Sequence, residues 1–303
     1  MVNTHAADDL AERVSRETII RRNEPLARRT TLRVGGPAEV YVEPASEEDL
    51  AETVRFCAGR KLPWMVLGRG SNLLVKDDGF CGVVICLAQP AFSAIEVLGT
   101  RLRCGAGAKL KAAAIEAKRH GLTGLEFLEG IPGSVGGGLR MNAGAMGGAM
   151  FDLAESVRLM DSSGHIDDCP ARELQAGYRS CPALKVRIAL GAVLRGQREA
   201  RERIEQRMHE FSRKRWDSQP AAPSAGCIFK NPATIPAGRL IDELGLKGTR
   251  VRGASVSTEH GNFIVTDGAA RAQDVLELIE IIRSRARAER GIELETEVQI
   301  IGG

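Results

Sequence analysis

Gly130-Ile131-Pro132-Gly133-Ser134-Val135-Gly136-Gly137-Gly138, running on to Met141-Asn142-Ala143-Gly144, is the stretch on which the fold turns. It lies within residues 124–148, where nine of 25 residues are glycine and no run is long enough for an ordinary helix or strand. Each glycine loses more backbone freedom on folding than any other residue, so a bland loop has no use for so many. Close backbone contact with a flat, charged cofactor explains the pattern. A glycine-rich packing corner between domains is the plainer alternative.

A second loop of this kind lies upstream. Gly68-Arg69-Gly70-Ser71-Asn72 directly follows the short apolar run 64–67. Its backbone N–H groups can converge on an anion, Ser71 and Asn72 can donate, and Arg69 adds charge. An ordinary tight turn is the alternative. It is not a dinucleotide fingerprint, because the third glycine is missing and no helix opens there. No Walker A sequence occurs.

Downstream, Ser224-Ala225-Gly226-Cys227-Ile228-Phe229-Lys230-Asn231-Pro232 brings a thiol, an ammonium and a carboxamide into one short frame. Cys227 there is a proton donor, a nucleophile or a small apolar filler. Tyr178-Arg179-Ser180 holds an arginine that either clamps a carboxylate with its planar fork or stands as a solvated surface charge. Glu297 reads at first as an exposed strand residue.

The remaining pattern sets the fold class. Ser46 caps a helix opening near Glu47, with Asp49 at the reciprocal capping position and Leu50, Val54 and Cys57 on one face. Strands are expected at 39–43, 82–87, 94–98, 101–104, 155–160, 186–194 and 262–266. Helices are expected at 109–120, 197–215, from Pro236 through Leu244, and at 272–290, the last ended by Gly291. Residues 220–232 read as a loop, and 1–16 as a tail or short helix. The terminal strand alternates, with Ile292, Leu294, Thr296, Val298 and Ile300 on one side. Strands and helices mix without strict βαβ repetition, so the class is α+β.

Composition narrows the function. The 303 residues are enough for two or three domains with a buried core. Aromatics are only 4%, too few for a base-stacking surface, and a net charge of +3 is too mild to demand a polyanion. No nucleic-acid partner is expected. Seven cysteines without a CxxC pair argue against both a disulfide framework and a zinc site. His120, His165, His209 and His260 show no ligand spacing, and His5 lies in the polar start, so no metal is expected. The start lacks a secretory pattern and no apolar run approaches the ~20 residues that cross a bilayer. A cytoplasmic protein without a membrane partner is expected.

Taken in order, the motifs resemble one family. Thr31-Leu32-Arg33-Val34-Gly35-Gly36-Pro37-Ala38 comes first, then the two glycine-rich loops and Tyr178-Arg179-Ser180. The Ser224 to Pro232 stretch, Ala237-Gly238-Arg239-Leu240-Ile241-Asp242, Gly245-Leu246-Lys247-Gly248 and Glu297-Val298 complete the series. The chain resembles the UDP-N-acetylenolpyruvoylglucosamine reductases (UDP-N-acetylmuramate dehydrogenases) from about residue 17 to 301, in their shorter form.

The resemblance implies a two-part FAD-binding region of the PCMH or vanillyl-alcohol-oxidase-like type, plus a separate α+β substrate domain. It divides the chain into 17–75 with the terminal strand 292–303, then 76–196, both for FAD, and 197–291 for the sugar nucleotide. It implies bound FAD, NADPH as hydride donor, and UDP-N-acetylglucosamine enolpyruvate as substrate, in a monomer. FAD contacts fall to Gly68, Arg69, Gly70, Ser71 and Asn72, and to Gly130, Ile131, Pro132, Gly133, Ser134, Gly136, Gly137, Asn142, Ala143 and Gly144. Substrate contacts fall to Tyr178, Lys230, Asn231 and Lys247.

The implied reaction reduces the enolpyruvyl double bond and leaves an enolate-like anion that needs preorganised stabilisation. The family positions for that role are Arg179 and Glu297, the latter protonated or sharing a proton. The adjacent carbon then needs an acid. That position is often serine in the family and here is Cys227, whose thiol, with an ordinary pKa of about 8.5, can donate. Gln299 stands where relatives often carry arginine. Other readings remain open at this point: an FAD-linked oxidase with another substrate, a thiol hydrolase pairing Cys227 with His260, or a phosphate-binding module without turnover.

Overall fold

The computed structural model describes residues 5–303. The chain folds as two compact units. One is built from residues 5–22, Val40–Arg69 and Gly82–Lys214; the other from Asn23–Glu39, Gly70–Cys81 and Arg215–Gly303. The expected α+β class is borne out. Both units carry mainly antiparallel sheets with helices packed beside them.

The first unit holds two sheets. One, most of whose residues fall in this unit, has the order Ile19–Pro25, Pro37–Glu43, Phe80–Cys86 and Trp64–Leu67, with the last two parallel; residues 23–25, 37–39 and 80–81 count with the second unit. The helix Glu47–Gly59 packs Leu50, Val54 and Cys57 into this sheet's core, as its spacing predicts. Ser46 accepts from Asp49 N at 3.1 Å. Asp49 does not turn back to close the expected capping box. Its carboxylate instead accepts from Ser15 N at 2.8 Å, Ser15 Oγ at 2.6 Å and Thr18 Oγ1 at 2.8 Å, three donors that outbid one main-chain N–H.

The second sheet runs Ile166–Pro170, Ala154–Met160, Ile188–Arg195, Arg101–Gly105 and Ile95–Leu98, antiparallel throughout. The helix Leu110–Arg119 covers its core with Leu110, Ala113, Ala114 and Ala117. The helix expected at 1–16 is Ala6–Ala11; residues 1–4 of that stretch lie outside the described residues.

The second unit centres on a four-stranded antiparallel sheet, Ser224–Cys227, Phe263–Thr266, Ala254–Val256 and Arg250–Val251. Helices Ala237–Glu243 and Ala272–Arg290 bury Leu240, Ile241, Val275, Leu278, Ile279 and Ile282 against it. Gly291 closes the long helix at φ +63°, the left-handed conformation its position predicts.

Two sequence expectations give way here. Residues 224–227, read as loop, form an edge strand, with the register shift and Gly226 at φ +75° accommodating its small residues. The terminal strand is shorter than its alternation suggests. Only Gln299–Ile301 forms a ladder, parallel to Leu73–Val75, because Thr296 makes just a single bridge to Phe229.

Candidate active site

The glycine-rich stretch from 130 hides a helix. Val135–Arg140 is helical despite three glycines, because Ser134 caps it by accepting from Gly137 N at 3.4 Å. Packing explains two of the three glycines. A Cβ on Gly136 would stand 3.0 Å from Ala106, and one on Gly138 would stand 3.2 Å from Leu110. The segment is pinned to its neighbours by Val135 N to Ala108 O at 2.9 Å and Gly136 N to Ala106 O at 2.8 Å.

The two glycine loops meet. A Cβ added to Gly68 would lie 2.7 Å from Ser134 Oγ. Gly68 is exposed, Gly137 is exposed and Gly130 and Gly133 are half-buried, so bare backbone from both loops faces outward. Exposed main chain of this kind fits a group that lies flat against backbone. Arg69 is exposed beside them.

Beyond Arg69 the loop belongs to the second unit. Gly70 turns at φ +60°, and a Cβ there would meet Arg29 O at 2.4 Å. Thr31 N donates to Gly70 O at 3.2 Å. The neighbouring Thr30 Oγ1 is buried with no hydrogen-bond partner among the described residues.

In the first unit the structure brings Arg179 to the end of the second glycine loop. Its Nη2 donates to Gly144 O at 3.2 Å, and its guanidinium lies 5.0 Å from the Tyr178 ring centroid. Gly177 and Ser180 close a tight turn around the pair, with Gly177 N donating to Ser180 O at 2.8 Å. Arg179 takes φ +54°, a conformation uncommon for a residue with a side chain. Asn142 braces this turn: its amide donates to Gly177 O at 3.0 Å while its oxygen accepts from Phe151 N at 3.1 Å. Tyr178 is exposed.

In the second unit Cys227 and Glu297 lie on neighbouring extended segments. Glu297 N donates to Ile228 O at 2.8 Å, directly beside the cysteine. Asn72 joins them from the first glycine loop: its amide donates to Glu297 O at 3.1 Å and its carbonyl accepts from Gln299 N at 3.0 Å. Gln299 Nε2 also reaches Glu297 O, at 3.2 Å. Cys227 is half-buried, and so is Glu297. By contrast, burial pushes the thiols of Cys57 and Cys104 up to about 12, which leaves them inert.

The expected substrate contacts have partners that sequence reasoning missed. Lys230 pairs with Glu295, and Lys247 Nζ lies 2.8 Å from Asp242. Asn231 Oδ1 accepts from Ala237 N at 3.0 Å and so anchors the start of the Ala237–Glu243 helix. Asn262, also missed, grips the chain after Cys227 through Phe229. Only its position three residues before the end of the apolar strand pattern hints at it.

His260, the base that a thiol hydrolase needs, is committed elsewhere. Its Nδ1 accepts from Asn262 N at 3.2 Å, its ring packs edge-on to Phe263 at 4.7 Å, and burial lowers its pKa. Among the described residues no cluster of three or more His, Cys, Asp or Glu side chains could hold a metal. No helix among them is long and apolar enough to cross a membrane.

Residues 219–301 match the C-terminal domain of UDP-N-acetylenolpyruvoylglucosamine reductase, and residues 38–170 match an FAD binding domain. The reductase of Heliobacterium modesticaldum is 47% identical over 287 residues, covering 92% of this chain and 90% of that protein. The chain belongs to the UDP-N-acetylenolpyruvoylglucosamine reductase family. Another family member, from Bacillus subtilis, is 40% identical over 284 residues, covering 93% of both proteins. The solved structure of the Thermus caldophilus reductase superposes with a TM-score of 0.80 at 41% identity, covering 94% of this chain and 98% of that one. Within the family's two matched regions, the FAD binding domain contains both glycine loops and the C-terminal domain contains Cys227, Lys230, Asn231, Lys247 and Glu297. Tyr178 and Arg179 fall between them.

Proposed function

We propose that this chain reduces UDP-N-acetylglucosamine enolpyruvate to UDP-N-acetylmuramate with NADPH and a resident FAD, in the synthesis of peptidoglycan precursors. The observation that carries this reading is the meeting of Gly68 with Ser134, which leaves two glycine loops with bare backbone side by side. The residues that would hold FAD are Gly68, Arg69, Gly70, Ser71 and Asn72 from the first loop. From the second they are Gly130, Ile131, Pro132, Gly133, Ser134, Gly136, Gly137, Asn142, Ala143 and Gly144. The chemistry supplied by bound FAD is hydride transfer from a nicotinamide to a carbon–carbon double bond.

The protein's own groups do the rest. Arg179 steadies the negative charge that develops on the substrate carboxylate, because its fork presents two parallel donors. Glu297 shares that task, protonated or sharing a proton. Cys227 Sγ delivers the proton to the substrate carbon. Tyr178, Lys230, Asn231 and Lys247 hold the sugar nucleotide, so Lys230 exchanges Glu295 for a phosphate oxygen when substrate binds. FAD falls to residues 17–75, 76–196 and 292–303, the nucleotide to 197–291. The enzyme works as a monomer in the cytoplasm, without nucleic-acid or membrane partners.

Purified protein should show flavin absorbance. In a stopped-flow experiment NADPH should bleach it and the enolpyruvyl sugar nucleotide should restore it. A colourless protein that takes up no FAD, or a reduced flavin that the sugar nucleotide leaves unchanged, would refute the assignment.

A further inference from the structure

Asn262 is only 2% exposed and is committed on every side. Its N–H donates to His260 Nδ1 at 3.2 Å, and its carbonyl accepts from Ile228 N at 2.9 Å. Its carboxamide oxygen accepts from Phe229 N at 2.9 Å and its amide donates to Phe229 O at 2.8 Å. One side chain thus satisfies both main-chain groups of a single buried residue.

The place where this happens matters. The ladder between Ser224–Cys227 and Phe263–Thr266 has its last register pair at Cys227 and Phe263. Beyond Cys227 the chain leaves that strand, and the Asn262 carboxamide stands in for the missing rung. The opposite edge of the same segment is then presented to residues 295–297. Lys230 N donates to Glu295 O at 2.9 Å, Phe229 bridges Thr296, and Glu297 N donates to Ile228 O at 2.8 Å. Ile228 and Phe229 are therefore held between Asn262 on one side and the Glu297 segment on the other.

We propose that Asn262 is a positioning residue for the protonation step, holding the Cys227 segment in register with Glu297. This rests on the roles given to Cys227 and Glu297 above. A carboxamide is required because the site needs one donor and one acceptor at the same reach. Aspartate would supply only acceptors and would set a negative charge against the Phe229 carbonyl. Glutamine carries an extra methylene and would displace the segment. Misplacement of a reacting group by about 1 Å costs on the order of 10²-fold in rate.

The test compares the wild type with Asn262→Asp, Asn262→Ser and a control, Thr266→Val. Thr266 lies on the same strand and its hydroxyl donates to Leu32 O at 2.6 Å, so the control removes a buried hydrogen bond without touching the Cys227 segment. Three quantities are read: flavin reduction by NADPH, reoxidation by the sugar nucleotide, and the rate at which iodoacetamide alkylates Cys227, followed by peptide mass spectrometry. Both Asn262 variants should keep the first and slow the second about 10²-fold, with KM moving less than kcat. They should also change the alkylation rate of Cys227, whereas Thr266→Val should lower the melting temperature alone. Wild-type reoxidation in a folded Asn262 variant overturns the proposal. So does an equal slowing of both half-reactions in the Asn262 variants. If Asn262→Asp does not fold, Asn262→Ser, which keeps a short hydroxyl, decides the matter. If the wild type itself ignores the sugar nucleotide, the assigned reaction is wrong; unchanged Cys227 alkylation in both variants then independently overturns the role of Asn262.

Discussion

Arg179 donates through Nη2 to the carbonyl of Gly144 at 3.2 Å, so the arginine of the Tyr178–Ser180 turn is fastened to the end of the second glycine loop. A lysine cannot reproduce both that bond and a forked grip on a carboxylate. Arg179→Lys should therefore reduce the rate of sugar-nucleotide reduction by about 10²-fold or more, the usual loss when one preorganised donor is removed. Flavin reduction by NADPH should change little. Single-turnover absorbance traces of the two half-reactions test this, and equal slowing of both would count against the role.

Cys227 separates the half-reactions in another way. Cys227→Ala should still accept electrons from NADPH into the flavin but lose nearly all transfer to the substrate. Cys227→Ser should retain turnover, since a hydroxyl can also deliver a proton. Wild-type turnover in the alanine variant would place the donor elsewhere, and an inactive, folded serine variant would show that thiol acidity matters.

Gly68 and Gly59 give a matched pair of substitutions. Gly68→Ala brings a Cβ to 2.7 Å from Ser134 Oγ and should lower the flavin-to-protein absorbance ratio of the purified protein. Gly59→Ala meets nothing within 4 Å at the end of its helix. It should leave flavin content alone and raise stability by about 0.5–1 kcal/mol. Full flavin in Gly68→Ala would argue that the loops do not hold the cofactor.

Asp49 gives a pH signature. Burial acts to raise its carboxyl, but the hydrogen bonds from Ser15 and Thr18 prevail and hold it below the ordinary value. A depressed folded value means stability that is present above the unfolded value of about 3.9 and is lost as pH falls through the folded one. Asp49→Asn should cost about 1–3 kcal/mol at neutral pH. Its denaturation midpoint should then fall less than that of the wild type between about pH 5 and pH 3. Parallel midpoints across that range would remove Asp49 from the acid response.

The fold class is legible because its main periodic runs are locally consistent. The stripe Val275, Leu278, Ile279 and Ile282 with Gly291 behind it specifies the Ala272–Arg290 helix without outside help. What escapes the sequence depends on partners distant along the chain. Val135–Arg140 becomes helical because Ser134 caps it and Ala106 and Leu110 crowd its glycines. The terminal strand stops short because its neighbours, Phe229 and Leu73–Val75, come from two unrelated segments. The candidate site divides in the same manner. Cys227, Arg179 and Glu297 stand out by chemistry and order, while Glu295 and Asp242 are revealed only by contact and Asn262 by little more than its place at the start of a strand.

The bond from Asn72 to Glu297 joins residues 225 positions apart. At ribosomal rates of about 5–20 residues per second, roughly 10–45 s of synthesis separate the two ends of that contact. Throughout that interval the nascent chain carries Leu73–Val75 without Gln299–Ile301, its parallel partner. An unsatisfied strand edge of this kind is open to pairing with other chains. Until residue 301 is translated the growing polypeptide therefore carries that edge uncovered, and slow decoding of the codons before it would lengthen the exposure.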